Sequence, residues 1–200
     1  MARVCWLAMR IIAGTFRSRS LQAPAGLATR PTSDRLRETL FNVLAPRIEG
    51  ARFLDLYAGS GAVGVEALSR GAAQVTLVER APAALEVLRA NLDRLKIKAG
   101  FRILSVSVAS FLRKPPAGPV AGFDLVFLDP PYDATEEYAT ALGLLGWASA
   151  GLLTPGAVVV AEHRRKQQLE PKYGALERSR LLEQGDAALS FYNSKEEQTS

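Results

Sequence analysis

The sequence predicts an α/β fold: a mainly parallel, seven-stranded sheet with helices on both faces. Three observations lead there. From residue 50 onward, short apolar runs alternate with segments whose apolar residues recur every three or four positions; one run leads into a G-x-G-x-x-G turn; another ends abruptly in Asp129, Pro130, Pro131 and Tyr132. Strands buried on both faces read as continuous apolar runs, and such sheets bind ligands beyond the carboxyl ends of their strands.

Each element follows from local pattern. RIIAGTFRSRSLQAP has a glycine-containing turn after a β-branched pair, and alternation in FRSRSL would point Arg17 and Arg19 to one side of a hairpin. After TRPTSD, Thr32 can cap a helix with Asp34 in its first turn and a stripe of Leu36, Leu40, Val43 and Leu44. Residues 52 to 57 are a strand, 62 to 70 a helix stopped by Gly71, and 74 to 79 a strand. Pro82 opens a helix with Leu85, Leu88, Leu92 and Leu95 on one face. Strands follow at 101 to 107 and 123 to 129, with a short helix or loop around Phe111 and Leu112 between them. Residues 134 to 150 look helical, and 156 to 163 form a strand entered through Pro155-Gly156. Gly185-Asp186 separates the halves of a final antiparallel pair. The expected organisation is a basic hairpin and docking helix over 1 to 47, a main domain over 48 to 193 and a polar tail over 194 to 200. The ordered pattern begins at Met9, and residues 1 to 8 are expected to be dispensable.

Composition excludes several classes. No apolar run approaches the roughly 18 residues of a membrane span, so a cytoplasmic protein without membrane contact is expected. A single cysteine, Cys5, and a single histidine, His163, leave no disulfide framework and no Cys/His metal site within the chain. His163, at a strand end beside Arg164 and Arg165, is expected to be structural or solvated. The first 37 residues carry seven arginines and one acid, a balance of +6, so the rest of the chain sums to −1 of the total +5. Arg10, Arg17, Arg19 and Arg35 belong to this basic segment, which suits contact with a polyanion.

Gly59, Gly61 and Gly64 supply the glycine pattern, and Glu79 stands at the end of the next strand, where a carboxylate can accept from ribose hydroxyls. NAD and S-adenosylmethionine both fit that pattern. The single-domain length favours the smaller cofactor, which has one ribose and no pyrophosphate. In DPPY, the residue before each proline is biased to extended backbone, and neither proline has an N–H to donate. The Asp129 carboxylate and the Pro130 carbonyl can then accept the two hydrogens of an exocyclic amino group, with Tyr132 stacking on its ring.

DPPY, DLYAGSGAVGVEALSRGA, RIIAGTFRSRSL and TRPTSDRLRETLFNVL together resemble the bacterial 16S ribosomal RNA guanine-N(2) methyltransferase family, over Met9 to about Tyr192. DPPY alone is shared by several amino-group methyltransferases; the N-terminal blocks narrow the substrate. The resemblance implies a Rossmann-like class I methyltransferase that moves a methyl group from S-adenosylmethionine to the 2-amino group of guanine 966 in small-subunit RNA, free or in an assembling particle, and acts as a monomer. By matching motif, Asp55, Tyr57, Gly59 and Gly61 would line the cofactor and Glu79 would hold its ribose. Arg30 and Thr32 would lie near its amino-acid end, and Ser107 stands where related enzymes often carry an acid toward adenine. Methylation of adenine in DNA and a non-catalytic RNA-binding role remain the alternatives.

Overall fold

A computed structural model describes residues 9–23, 33–114, 122–131, 134–147 and 152–194. Strands β1 (Met9–Arg10) and β2 (Ser20–Leu21) pair antiparallel, Met9 opposite Leu21. The chain between them is not extended. Residues 13–18 form bends and turns, Ser18 has a φ of 66°, and the Arg17 and Arg19 N–H groups donate to Gly14 O and Phe16 O. Period-two alternation needs an extended backbone, so the expected shared face of Arg17 and Arg19 does not form. Arg19 instead lies over the Phe16 ring, 6.0 Å from its centroid.

Helix α1 (Asp34–Ile48) starts at Ser33, whose hydroxyl accepts from Leu36 N–H at 3.2 Å; the cap is therefore Ser33 and not the expected Thr32, which lies outside the described residues. Then come β3 (Arg52–Leu56), α2 (Ala62–Ser69), β4 (Gln74–Val78), α3 (Pro82–Arg94), β5 (Phe101–Leu104), α4 (Val108–Arg113), β6 (Phe123–Leu128), α5 (Thr135–Trp147), β7 (Leu153–Arg164), β8 (Lys172–Tyr173), β9 (Leu176–Gln184) and β10 (Ala187–Ser194). The alternation read from apolar periodicity is the alternation found. β5 stops at Leu104, short of the expected 107, because Ser107 caps α4 by accepting from Ser110 N–H.

The main sheet has the order β5-β4-β3-β6-β7-β10-β9-β8. Its first five strands are mutually parallel and the last three attach antiparallel, giving eight strands among the described residues. The strand beyond the expected seven is β8, two residues on the edge of β9. Strand order reverses between β3 and β6, the switch point at which a crevice opens beyond the strand ends. One apolar core joins the N-terminal elements (Met9, Ile11, Leu36, Leu40) to Phe53, Val75 and Phe127; the other, built from Leu54, Leu128, Tyr138 and Val159 among others, fills the opposite face. No helix of the described residues is long and apolar enough to cross a membrane.

Buried polar groups mark where segments are locked together. Glu66 on α2 is fully buried and accepts from Ile12 N–H (2.8 Å), Ala13 N–H (3.0 Å) and Arg70 Nε (2.7 Å), while Arg37 Nε stands 3.8 Å away. Ser69 adds a bond from Phe16 N–H and donates to Ala13 O, so the hairpin tip is tied to the second half of α2. His163 is buried in β7 with both ring nitrogens engaged: Nδ1 with Arg164 O and Nε2 with Ser190 Oγ, each at 2.9 Å. A carbonyl can only accept, so Nδ1 carries the proton and Nε2 accepts from the serine; the histidine is structural.

Candidate active site

A cavity of about 410 Å³ opens at the carboxyl ends of β3, β4 and β6, within the range of small-molecule sites. It brings together Asp55, Tyr57, Gly59, Glu79, Ser107, Asp129 and Pro131, residues spread over 77 positions of sequence. Gly61 and Pro130 are not among its lining residues. Arg30, Thr32 and Tyr132 lie outside the described residues.

The glycine turn follows from backbone geometry. Gly59 and Gly61 have φ of 54° and 80°, left-handed values that cost a side-chain-bearing residue about 1 kcal/mol or more. A Cβ on Gly61 would also come within 2.2 Å of Leu88 in α3, so this residue shapes the turn from behind. Gly64 serves packing: a Cβ there would meet Leu77 at 2.5 Å and Asp55 Oδ2 at 3.1 Å.

Asp55 accepts from Gly64 N–H at 2.9 Å, in the first turn of α2. A carboxylate of the chain itself thus occupies a helix terminus that in a dinucleotide site would face a pyrophosphate. Glu79 accepts from Gly59 N–H at 2.9 Å and, through its other oxygen, from Arg80 and Ala81 N–H at 2.8 Å each. Three backbone donors fix its orientation and leave lone pairs for a ligand.

Charge decides what the cavity suits. Among the described residues its wall carries four acids, Asp55, Glu79, Asp129 and Glu137, against one cation, Arg80. Burial, and then the charge of Glu79, push Asp55 up to about 7 against the hydrogen bond from Gly64, which pulls it down. Burial pushes Asp129 well above the carboxylate range, with Glu162 and Asp55 adding to the rise. Glu162 is buried on β7, one residue beyond the Leu128–Ala161 pairing, and so next to Asp129. A cationic ligand relieves this repulsion, and an anionic one aggravates it.

Two features had no clear signal in the sequence. Tyr57 sits at φ 67°, a strained conformation for a bulky residue, and its hydroxyl donates to Glu137 Oε2 at 2.6 Å. Burial and then Glu137 hold that phenol above its ordinary value. Glu137 reads in sequence only as an acid in the first turn of a helix, and its partner is 80 residues away. Val78, Val106, Val108 and Phe127 supply an apolar wall.

Of the basic residues, Arg10, Arg17 and Arg35 line one open groove between hairpin and α1, together with Asp34 and Glu38; Arg19 is not among them. Asp34 already pairs with Arg10 at 3.3 Å and with Arg37 at 3.0 Å.

The family described as Conserved hypothetical protein 95 matches residues 9–193. The chain belongs to that family. Within it, the chain is 45% identical over 141 residues to ribosomal RNA small subunit methyltransferase D of Escherichia coli (strain K12), covering 70% of this chain and 69% of that protein. It is 38% identical over 164 residues to the protein of the same name in Haemophilus influenzae, covering 80% and 81%. Among solved structures, yhhF of Escherichia coli superposes with a TM-score of 0.80 at 35% identity, covering 94% of this chain and 98% of that one. An RNA methyltransferase of Salinibacter ruber, solved with S-adenosyl-L-homocysteine, shares the fold at a TM-score of 0.60 and 16% identity. The class I methyltransferase architecture implied by the family resemblance is the one observed.

Proposed function

We propose that this chain is an S-adenosylmethionine-dependent methyltransferase of 16S ribosomal RNA, acting on the exocyclic 2-amino group of a guanine, at position 966. The observation that carries the reading is the ring of carboxylates at the switch point, with Asp129 and Pro131 on the same wall as the glycine turn and Glu79. When bound, the cofactor supplies an electrophilic methyl group on a sulfonium. Its positive charges suit the acids of the cavity, whereas the pyrophosphate of NAD does not. The names of the Escherichia coli and Haemophilus influenzae relatives support ribosomal RNA of the small subunit as substrate.

The residues would act as follows. Glu79 accepts from the ribose hydroxyls, and the apolar wall with Ser107 covers the adenine. Asp129 and the Pro130 carbonyl accept the two hydrogens of the guanine amine. An aryl amine is a poor nucleophile because its lone pair is delocalised, and holding both hydrogens turns that lone pair toward the donor. Such alignment is worth roughly 7 to 11 kcal/mol of barrier at best. A bound cation favours the ionised form of Asp129, which then offsets positive charge growing on nitrogen, and the proton that the methylated nitrogen releases passes to Asp129 or to water. The base must leave its stack, which costs a few kcal/mol and least where RNA is unpaired. Residues 9–47 contact the RNA backbone through Arg10, Arg17 and Arg35, and a monomer suffices. Arg30, Thr32 and Tyr132 keep the roles the family motif implies for them.

The test is labelled methyl transfer to 16S RNA, to small-subunit particles and to DNA, followed by mass-spectrometric mapping of 16S RNA from cells with and without the protein. Label at guanine 966 that vanishes with the gene is the expected result. Preferential labelling of DNA, or an unchanged RNA map, would refute the reading.

A further inference from the structure

Met9 and Ala23, from opposite ends of the hairpin, line the same cavity as the glycine turn. One side chain of α3 links that segment to the turn. Asn91 is fully buried; its Oδ1 accepts from Gln22 N–H at 2.8 Å, and its Nδ2 donates to Gln22 O at 3.0 Å and Ser60 O at 2.9 Å. An asparagine amide has one acceptor oxygen and two N–H donors, and here all three kinds of contact are made. Gln22 precedes the wall residue Ala23, and Ser60 lies between Gly59 and Gly61. The backbone of the hairpin root is thereby bonded, through a single amide, to the backbone of the turn.

Packing alone does not explain the residue. The neighbouring core positions Leu88 and Leu92 are apolar, and a buried amide is tolerated only when its polar atoms are satisfied. The hairpin tip is held separately, by Glu66 and Ser69 of the helix that begins at the same turn. With the tip fastened to α2 and Met9 and Leu21 of the root in the apolar core, Asn91 supplies the root's polar link to the turn.

We propose that Asn91 is a positioning residue that couples the seating of the N-terminal segment to the filling of the cavity by the cofactor. Because such coupling is reciprocal, cofactor binding tightens the segment, and loosening the segment weakens cofactor binding. Its value for RNA, that the basic groove is presented once the methyl donor is in place, rests on the function proposed above.

The experiment uses S-adenosylhomocysteine as probe, with calorimetric Kd and hydrogen exchange of the peptide covering Ile11 to Ala23. Asn91→Asp keeps the oxygen and the size but loses both donors. Gln22→Pro removes the N–H that Asn91 Oδ1 accepts and changes no side chain of α3. In wild type the probe is expected to slow exchange in this peptide; in both variants the probe-dependent slowing disappears and Kd rises roughly tenfold. A purely structural role would raise exchange equally with and without the probe. The proposal is overturned if the probe leaves wild-type exchange unchanged, or if a folded variant keeps both the wild-type Kd and the slowing. Should Asn91→Asp fail to fold, Gln22→Pro decides alone. These readouts need no RNA, so failure of the wild type to bind 16S RNA would sink the proposed substrate and leave the coupling to stand or fall by itself.

Discussion

Two carboxylates in this molecule, Glu66 fully buried and Asp129 half-buried, have opposite surroundings. Glu66, on α2, is fully buried and meets two backbone N–H groups, Arg70 at 2.7 Å and Arg37 at 3.8 Å. Asp129, on the cavity wall, is pushed toward the neutral form first by its removal from water and then by two acids, Glu162 and Asp55. A buried acid with opposite charges around it holds architecture, here the docking of the hairpin on α2. One whose neighbours are acids carries a penalty that a cationic ligand can remove, which is the mark of a working site.

Removing each acid should therefore fail in opposite ways. Glu66→Ala removes one of the two acids that face buried Arg37, takes the ion-pair partner of half-buried Arg70 and leaves two hairpin N–H groups unpaired, so urea denaturation should show a loss of about 3 to 5 kcal/mol. Arg37 is the more exposed to this loss, because its Nε and Nη1 have no hydrogen-bond partner among the described residues. Asp129→Ala should lower methyl transfer by roughly 10² to 10³-fold, as for other groups aimed at developing charge, while the midpoint in urea stays level or rises. Stability lost with activity retained would reverse the assignment of the two residues.

A finer test concerns Asp55. Its folded-state value of about 7 lies above the ordinary 3.8, so the folded protein binds the proton more tightly than the unfolded chain. Stability should then fall as pH rises from about 4 to 7 and level off above, since the unfolded state binds fewer protons in that window. Asp55→Asn can still accept from Gly64 N–H and should flatten that part of the Tm against pH curve; an unchanged slope would place the titration elsewhere. Smallest of all, Arg17→Ala should reduce the slope of log affinity for 16S RNA against log salt by roughly 0.7 to 0.9, and an unchanged slope would assign Arg17 to solubility.

The elements of the sheet and the glycine-turn, Glu79 and Asp129 parts of the cavity were legible because their signals are local. Apolar runs, Pro82 and the glycines each report on residues within a few positions, and Glu79 lies one strand beyond the turn it serves. The basic hairpin was read less well, because alternation in FRSRSL presupposed an extended chain and residues 13–18 turn instead. Glu66, Asn91 and Glu137 were not read at all. The backbone N–H donors to Glu66 lie 53 to 54 residues away, the partners of Asn91 31 to 69 and that of Glu137 80, and nothing in the flanking residues distinguishes a buried acid or amide on a helix from a solvated one.

By itself, then, the chain's order of residues determined the layers and the direction of the strands, since apolar periodicity and turn signals act over a few bonds. Only the tertiary structure decided which acids are paired and which stand among like charges. It also decided that Met9 and Ala23 line the cavity at the switch point, and that Asn91 bonds the hairpin root to the glycine turn. Burial and charge proximity depend on distance in space, and the sheet brings together carboxylates from β3, β4 and β6 that the sequence holds far apart.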